Sequence, residues 1–159
     1  MNRPAGALTE IIVLALWLGA TLFFVAVVAP AAFAALPTRV LAGAIVGRIL
    51  PVLFLAGVLA GLALMLVEWR VPSRRAVTGR MVAGFVTVVS CAIAQFAIVP
   101  RIEMVRAQIG GSLDSLPAGD ARRMAFGRLH GLSVVLLGIA MLAVLSALAL
   151  AVRAQRREP

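Results

Sequence analysis

The chain carries one histidine, His130, within the run Phe126-Gly127-Arg128-Leu129-His130-Gly131-Leu132-Ser133. An imidazole can accept a proton near neutral pH or, when neutral, act as an axial metal ligand. It can equally be structural, bonded to a backbone carbonyl or to Ser133, which shares its helical face with Phe126 and Val134. Arg48 is the second candidate. It follows Gly47, whose carbonyl lacks its usual helical partner because Pro51 has no amide hydrogen. A guanidinium at such a place suits an anionic or carbonyl-bearing ligand. Thr87, Cys91 and Gln95 recur at i+4 spacing with Ser90 beside them, a polar stripe that either bonds to neighbouring helices or lines a ligand site. Arg101 and Arg106 complete the set of groups with chemistry to offer.

No catalytic residue is assigned, and the chain is expected not to be an enzyme. One Cys and one His also fall short of the three or four protein ligands of a conventional zinc site, and no metal or other cofactor is expected. The single cysteine excludes an intrachain disulfide.

The elements that must position these groups are four long apolar stretches. They predict helices over about 8–35, 42–69, 78–100 with an extension to about 109, and 121–152. A hydrocarbon core about 30 Å thick needs roughly 20 residues rising ~1.5 Å each, and every stretch reaches that length. Backbone groups in lipid must be bonded internally, which makes such stretches helices rather than strands. The expected fold is therefore all-α: one integral membrane domain over 1–159, an antiparallel four-transmembrane-helix bundle running up-down-up-down. A hydrophobic content of 63% and a mean hydropathy of +1.09 leave little chain for anything else. The first stretch contains Ala32-Phe33-Ala34, similar to a signal-peptidase site. However, Ile11 to Ala29 is longer than a signal h-region of about 7–15 residues.

The net charge of +9 would suggest nucleic acid if the arginines covered one face of a soluble fold. Here they fall between the apolar stretches and at the ends, where membrane topology accounts for them, so no nucleic-acid partner is expected. All fifteen basic residues are Arg and none is Lys. With abundant Ala, Val and Leu, this composition suggests a GC-rich bacterial genome and an inner-membrane location. Eight arginines lie on the side of the termini and seven on the other, which favours cytoplasmic termini by a narrow margin. Glu10 and Glu68 fall near the terminal side, where Arg70 or Arg80 could neutralise them as interfacial ion pairs. A proton path is the alternative.

The connections are legible too. Leu36-Pro37-Thr38-Arg39 is a tight link. Ile102, Val105 and Ile109 share a face beyond Pro100, and Glu103 can pair with Arg106 at i,i+3. Gly110-Gly111 should stop the third helix and Asp120 should cap the fourth. Helix two holds Gly43-xxx-Gly47 and Gly57-xxx-Gly61, and helix four repeats the spacing at Gly127 and Gly131. These serve either packing within one bundle or a homodimer or membrane-protein interface. No internal repeat is evident.

On this topology Pro30, Arg48, Gln95, Arg101, Arg106 and His130 fall at one end of the bundle, on three different helices and the close of a fourth. Arg48, Arg101 and His130 would line a ligand site, with Arg106 and Ser133 beside them and Gln95 beneath. The alternative for Arg48 is snorkelling or structural pairing, since a charge at the bilayer centre costs at least about 2.5–3.5 kcal/mol.

Three stretches resemble the transmembrane protein 205-like domain, catalogued as domain of unknown function 4149. They are Trp17-Leu18-Gly19 with Phe23-Phe24, Val28-Ala29-Pro30 and Phe33; Gly47-Arg48-Ile49; and Val99-Pro100-Arg101 with the Phe126–Ser133 run. The resemblance covers nearly the whole chain, with the Phe126–Ser133 run its most specific part. It implies a four-helix membrane domain without an established activity. A more distant similarity to copper-resistance D-like and protoporphyrinogen-oxidase-like membrane proteins implies haem, yet one histidine cannot give bis-histidine ligation within a monomer. Three functions follow: a bundle that binds or passes a small solute, an assembly subunit docking through Gly43, Gly47, Gly57 and Gly61, or a haem protein.

Overall fold

The computed structural model describes residues 3–69, 76–117 and 119–155, and side chains within 8–69, 79–117 and 119–154. Four helices are long and apolar enough to cross a membrane. Helix α1 consists of α-helix Arg3–Phe23, a π-turn Phe24–Val28 and α-helix Ala29–Ala35; α2 is Arg39–Trp69. Helix α3 consists of α-helix Ala76–Ile93, a π-turn Ala94–Ile98 and α-helix Val99–Ile109; α4 is Ala121–Gln155. The expected boundaries hold to within a few residues, including the extension of the third helix past Pro100. Arg70, Arg74 and Arg75 of the expected terminal-side loop, and Arg156 and Arg157, lie outside the described residues.

The caps explain where the helices stop. Gly110 takes φ +65° and its amide donates to the Arg106 carbonyl, a left-handed closure that glycine adopts without steric cost. Asp120 accepts the Arg122 amide at 2.8 Å and so caps α4. Thr38 caps α2 through the Leu41 amide. Between them the distal link is stitched down: Arg122 donates to the Gln108 carbonyl and Arg123 to that of Leu116.

Each π-turn ends two residues before a proline, Pro30 in α1 and Pro100 in α3. Proline removes an amide and its ring collides with the carbonyl four residues back, and a widened turn relieves both problems. Glu10 and Arg80 stand at equal distances ahead of these prolines, while Gly47-Arg48 in α2 is echoed by Gly127-Arg128 in α4. The likeness of the two hairpins is confined to these positions and to the π-turns.

Contacts at the two ends match alternating helix directions. At the terminal end the start of α1, the end of α2 and the start of α3 meet at Glu10, Glu68 and Arg80, and Gly79 faces Leu150 of α4. The distal end gathers Phe33, Gly43, Arg106 and Phe126, one from each helix in turn. Along the middle, Leu14, Trp17, Phe54, Leu64, Cys91, Leu137 and Val144 form the core with a run of alanines.

Lipid tails are as apolar as these side chains, so association depends on close packing. Glycine supplies it between α2 and α3. A Cβ on Gly61 would lie 2.9 Å from the Gly84 carbonyl, and one on Gly84 would lie 3.1 Å from that of Gly61. Gly57 is closed over by Cys91 Sγ and the Trp17 ring, whose Nε1 donates to the Leu53 carbonyl at 2.9 Å. Gly57 and Gly61 are thus consumed inside the bundle and do not offer α2 to a partner. Gly127 and Gly131, by contrast, are exposed with nothing within 4 Å.

The polar stripe of α3 also resolves differently from an interhelical network. Thr87 is fully buried but donates to its own helix, to the Ala83 carbonyl at 2.8 Å. Cys91 packs in the core, and Gln95 falls inside the π-turn, half-buried, its Oε1 without a partner. At the terminal end Arg80, with 12% of its side chain exposed, bonds to Glu10 and, at 3.0 Å, to Glu68. One guanidinium therefore ties three helices together.

Three outcomes are expected. Gly61→Leu should destabilise the bundle by about 1–3 kcal/mol or more through overpacking, whereas Gly127→Ala should stay within about 0.5 kcal/mol, as surface changes do; denaturation in detergent distinguishes them. Arg80→Met should cost about 3–5 kcal/mol by leaving two buried carboxylates uncompensated, and adding Glu10→Gln and Glu68→Gln should recover much of that loss. Finally, the Arg122 side chain and amide hold the Asp120 carboxyl down at about 2, below its ordinary 3.8. A depressed carboxyl stabilises the fold fully above the unfolded value and loses that contribution as pH falls through the folded one. The α4 cap should accordingly persist at pH 5 and fray between about pH 4 and 2, a window that NMR titration of Asp120 would read.

Candidate ligand site at the distal end

Below the distal link, all four helices line a partly open cavity of about 110 Å³. Its floor and sides are apolar: Val46, Leu50, Pro51 and Phe54 from α2, Val99 and Ile102 from α3, with Phe33 of α1 at the edge. Polar groups enter from two helices only. Glu103 and Arg106 come from α3, and His130 and Ser133 come with Phe126 from α4.

Arg106 is the best-anchored of these. Its Nη2 donates to the Gly43 carbonyl at 3.3 Å, its Nη1 to Glu103 Oε1 at 3.1 Å, and its Cζ lies 5.8 Å from the centroid of the Phe126 ring. The reason it can reach the α2 backbone is Gly47. A Cβ there would stand 2.8 Å from Nη1. The Gly43-xxx-Gly47 spacing is therefore a seat for a guanidinium rather than a contact between helices. The Glu103–Arg106 pair is the one that the i,i+3 spacing predicts.

His130 stacks on Phe126, ring centroids 6.1 Å apart and planes within 7°, so guanidinium, phenyl and imidazole form a ladder across the cavity wall. The Ser133 hydroxyl donates to the His130 carbonyl at 2.7 Å, not to the imidazole. Among the described residues no hydrogen bond reaches either imidazole nitrogen, which leaves the ring free to meet a ligand or water.

Of the residues expected to form the site, the structure brings together Arg106, His130 and Ser133. Arg48, Arg101 and Gln95 do not line the cavity. Helical rotation is the cause. One residue is about 100° of turn, so with Gly47 facing Arg106 the next side chain, Arg48, points away; five residues separate Arg101 from Arg106, with a similar result. Both are exposed. Gln95 is carried to another position by the π-turn. Glu103, Phe126 and Gly47 are the site residues that sequence reasoning missed. Their signals were present, in the acid paired to Arg106 and the aromatic four residues before His130, but each had a sufficient structural reading.

The arrangement can hold a small amphiphile by its head. Among the described residues no three His, Cys, Asp or Glu side chains gather as metal ligands. A haem does not fit here: the sequence offers one imidazole, and the cavity is well below the ~300 Å³ at which cofactor pockets begin.

No curated protein and no solved structure matches the chain. The profile of a domain of unknown function, DUF4149, matches residues 12–110, which run from the first turns of α1 through the end of α3. The Phe126–Ser133 run lies beyond the matched residues, so the likeness rests on the first three helices. Covering more than half of the sequence, this match establishes that the chain, whose four helices are long and apolar enough to cross a membrane, belongs to the DUF4149 family.

Proposed function

We propose that the protein is a non-enzymatic bundle of the bacterial inner membrane, termini in the cytoplasm, that binds or hands on a small solute at its distal end. The solute class is an amphiphile with an anionic or carbonyl-bearing head. One observation carries this reading: the Arg106 guanidinium stands at the wall of a largely apolar cavity, on the same ladder as the His130 imidazole.

The binding mode follows from the geometry. Glu103 is half exposed and can turn to water, surrendering Nη1 of Arg106 to an incoming carboxylate or carbonyl. The Gly43 carbonyl keeps the guanidinium in place meanwhile. The apolar part of the solute would rest on Leu50, Phe54 and Val99. An apolar cavity of about 150 Å³ accepts benzene, so about 110 Å³ suits a slightly smaller group or the leading part of a larger molecule.

Isobutyrate and isobutanol make a matched pair of probes, smaller than benzene, for the purified protein in detergent, read by ligand-observed NMR and thermal shift. Isobutyrate should bind more tightly, and Arg106→Gln should weaken it about 10- to 100-fold, the worth of a charged hydrogen bond of about 1.5–3 kcal/mol. Glu103→Gln should strengthen it by removing the competing carboxylate. Equal binding by wild type and Arg106→Gln, or none to any small carboxylate, would overturn the proposal.

A further inference from the structure

Arg48, Arg101 and Arg128 are exposed, lie inside the membrane-length helices, and have no acidic partner among the described ion pairs. They belong to three different helices. At ~1.5 Å of rise per residue, Arg48 stands about 30 Å along α2 from Glu68, and Arg101 about 30 Å along α3 from Arg80. That spacing is the thickness of a hydrocarbon core. Exposed Trp69, of the type that favours membrane interfaces, marks the far boundary on α2. Between the two levels α2 and α3 carry no Arg, Lys, Asp or Glu, and α4 has none between Arg128 and Arg153.

We infer that these three arginines form a belt at the phosphate level of the distal leaflet, where each guanidinium binds the headgroup phosphate of an anionic phospholipid. Three cations without a counter-charge among the described residues must find one nearby or remain hydrated. A phospholipid phosphate is the anion present at that depth, and the planar guanidinium matches it with two parallel donors. The belt also fixes the register of the whole bundle. Helices α2, α3 and α4 continue about 10–13 Å beyond it, so the capped distal link stands in water and the cavity straddles the headgroup region. The inference does not depend on what the cavity binds.

Native mass spectrometry of the full chain, released from micelles holding equal phosphatidylglycerol and phosphatidylcholine, tests it. The wild type should retain phosphatidylglycerol preferentially, and Arg48→Gln/Arg101→Gln/Arg128→Gln should lose at least half of the retained molecules. Arg39→Gln/Arg122→Gln, which removes exposed arginines beyond the belt, should change little. Should the triple variant fail to insert, each single substitution should still lower retention, and these exposed positions tolerate glutamine. No lipid preference in the wild type, unchanged retention in the triple or all single variants, or an equal loss in the Arg39/Arg122 control would overturn the belt.

Discussion

Inside hydrocarbon every backbone amide and carbonyl needs a partner from the chain itself, and that demand governs the remainder of this structure. It makes each apolar stretch a helix, and it makes every interruption costly enough to need a device. The devices are visible at the prolines. Pro30 and Pro100 each follow a π-turn, which widens the helix where an amide is missing instead of breaking it. Hydroxyls obey the same rule: Thr21, Thr87, Ser133 and Ser146 all donate back to carbonyls of their own helices.

With backbones satisfied, the helices need a reason to stay together, and this chain uses different means at different depths. Mid-membrane, Gly57, Gly61 and Gly84 let α2 approach α3 to backbone contact. At the terminal end a buried guanidinium joins two carboxylates from two other helices. A buried ion triad is a poor source of net stability, but it punishes any other arrangement, because a displaced helix would strand a charge in lipid. The triad therefore acts mainly on register, in keeping with the equal spacing of Glu10 and Arg80 from their prolines.

The distal end is looser by contrast, and the difference is what makes it a candidate site. Packing there is completed by side chains rather than by backbones, and the Arg106–Phe126–His130 ladder leaves space below it. Arg106 holds a position between a carbonyl, a carboxylate and an aromatic face, none of which neutralises it as fully as the terminal triad neutralises Arg80. A group held by replaceable partners suits binding better than one locked by buried ones.

The sequence by itself determined the number of helices, their approximate limits, the Gly110 stop, the Asp120 cap and the Glu103–Arg106 pair. These are local consequences of apolar length, turn chemistry and i,i+3 spacing, and they need no knowledge of neighbours. Only the tertiary structure decided which polar groups meet. Arg48 and Arg101 lie near His130 in depth, with Gln95 beneath, which the sequence reveals, but depth fixes one coordinate and rotation about each helix axis fixes the other. That rotation is set by where α2 can press its glycines against α3 and by how far each π-turn twists the chain after it. For the same reason Gly43 and Gly47 looked like a helix-packing motif and proved to be the seat of Arg106: a missing side chain declares that something comes close, and only the fold says what.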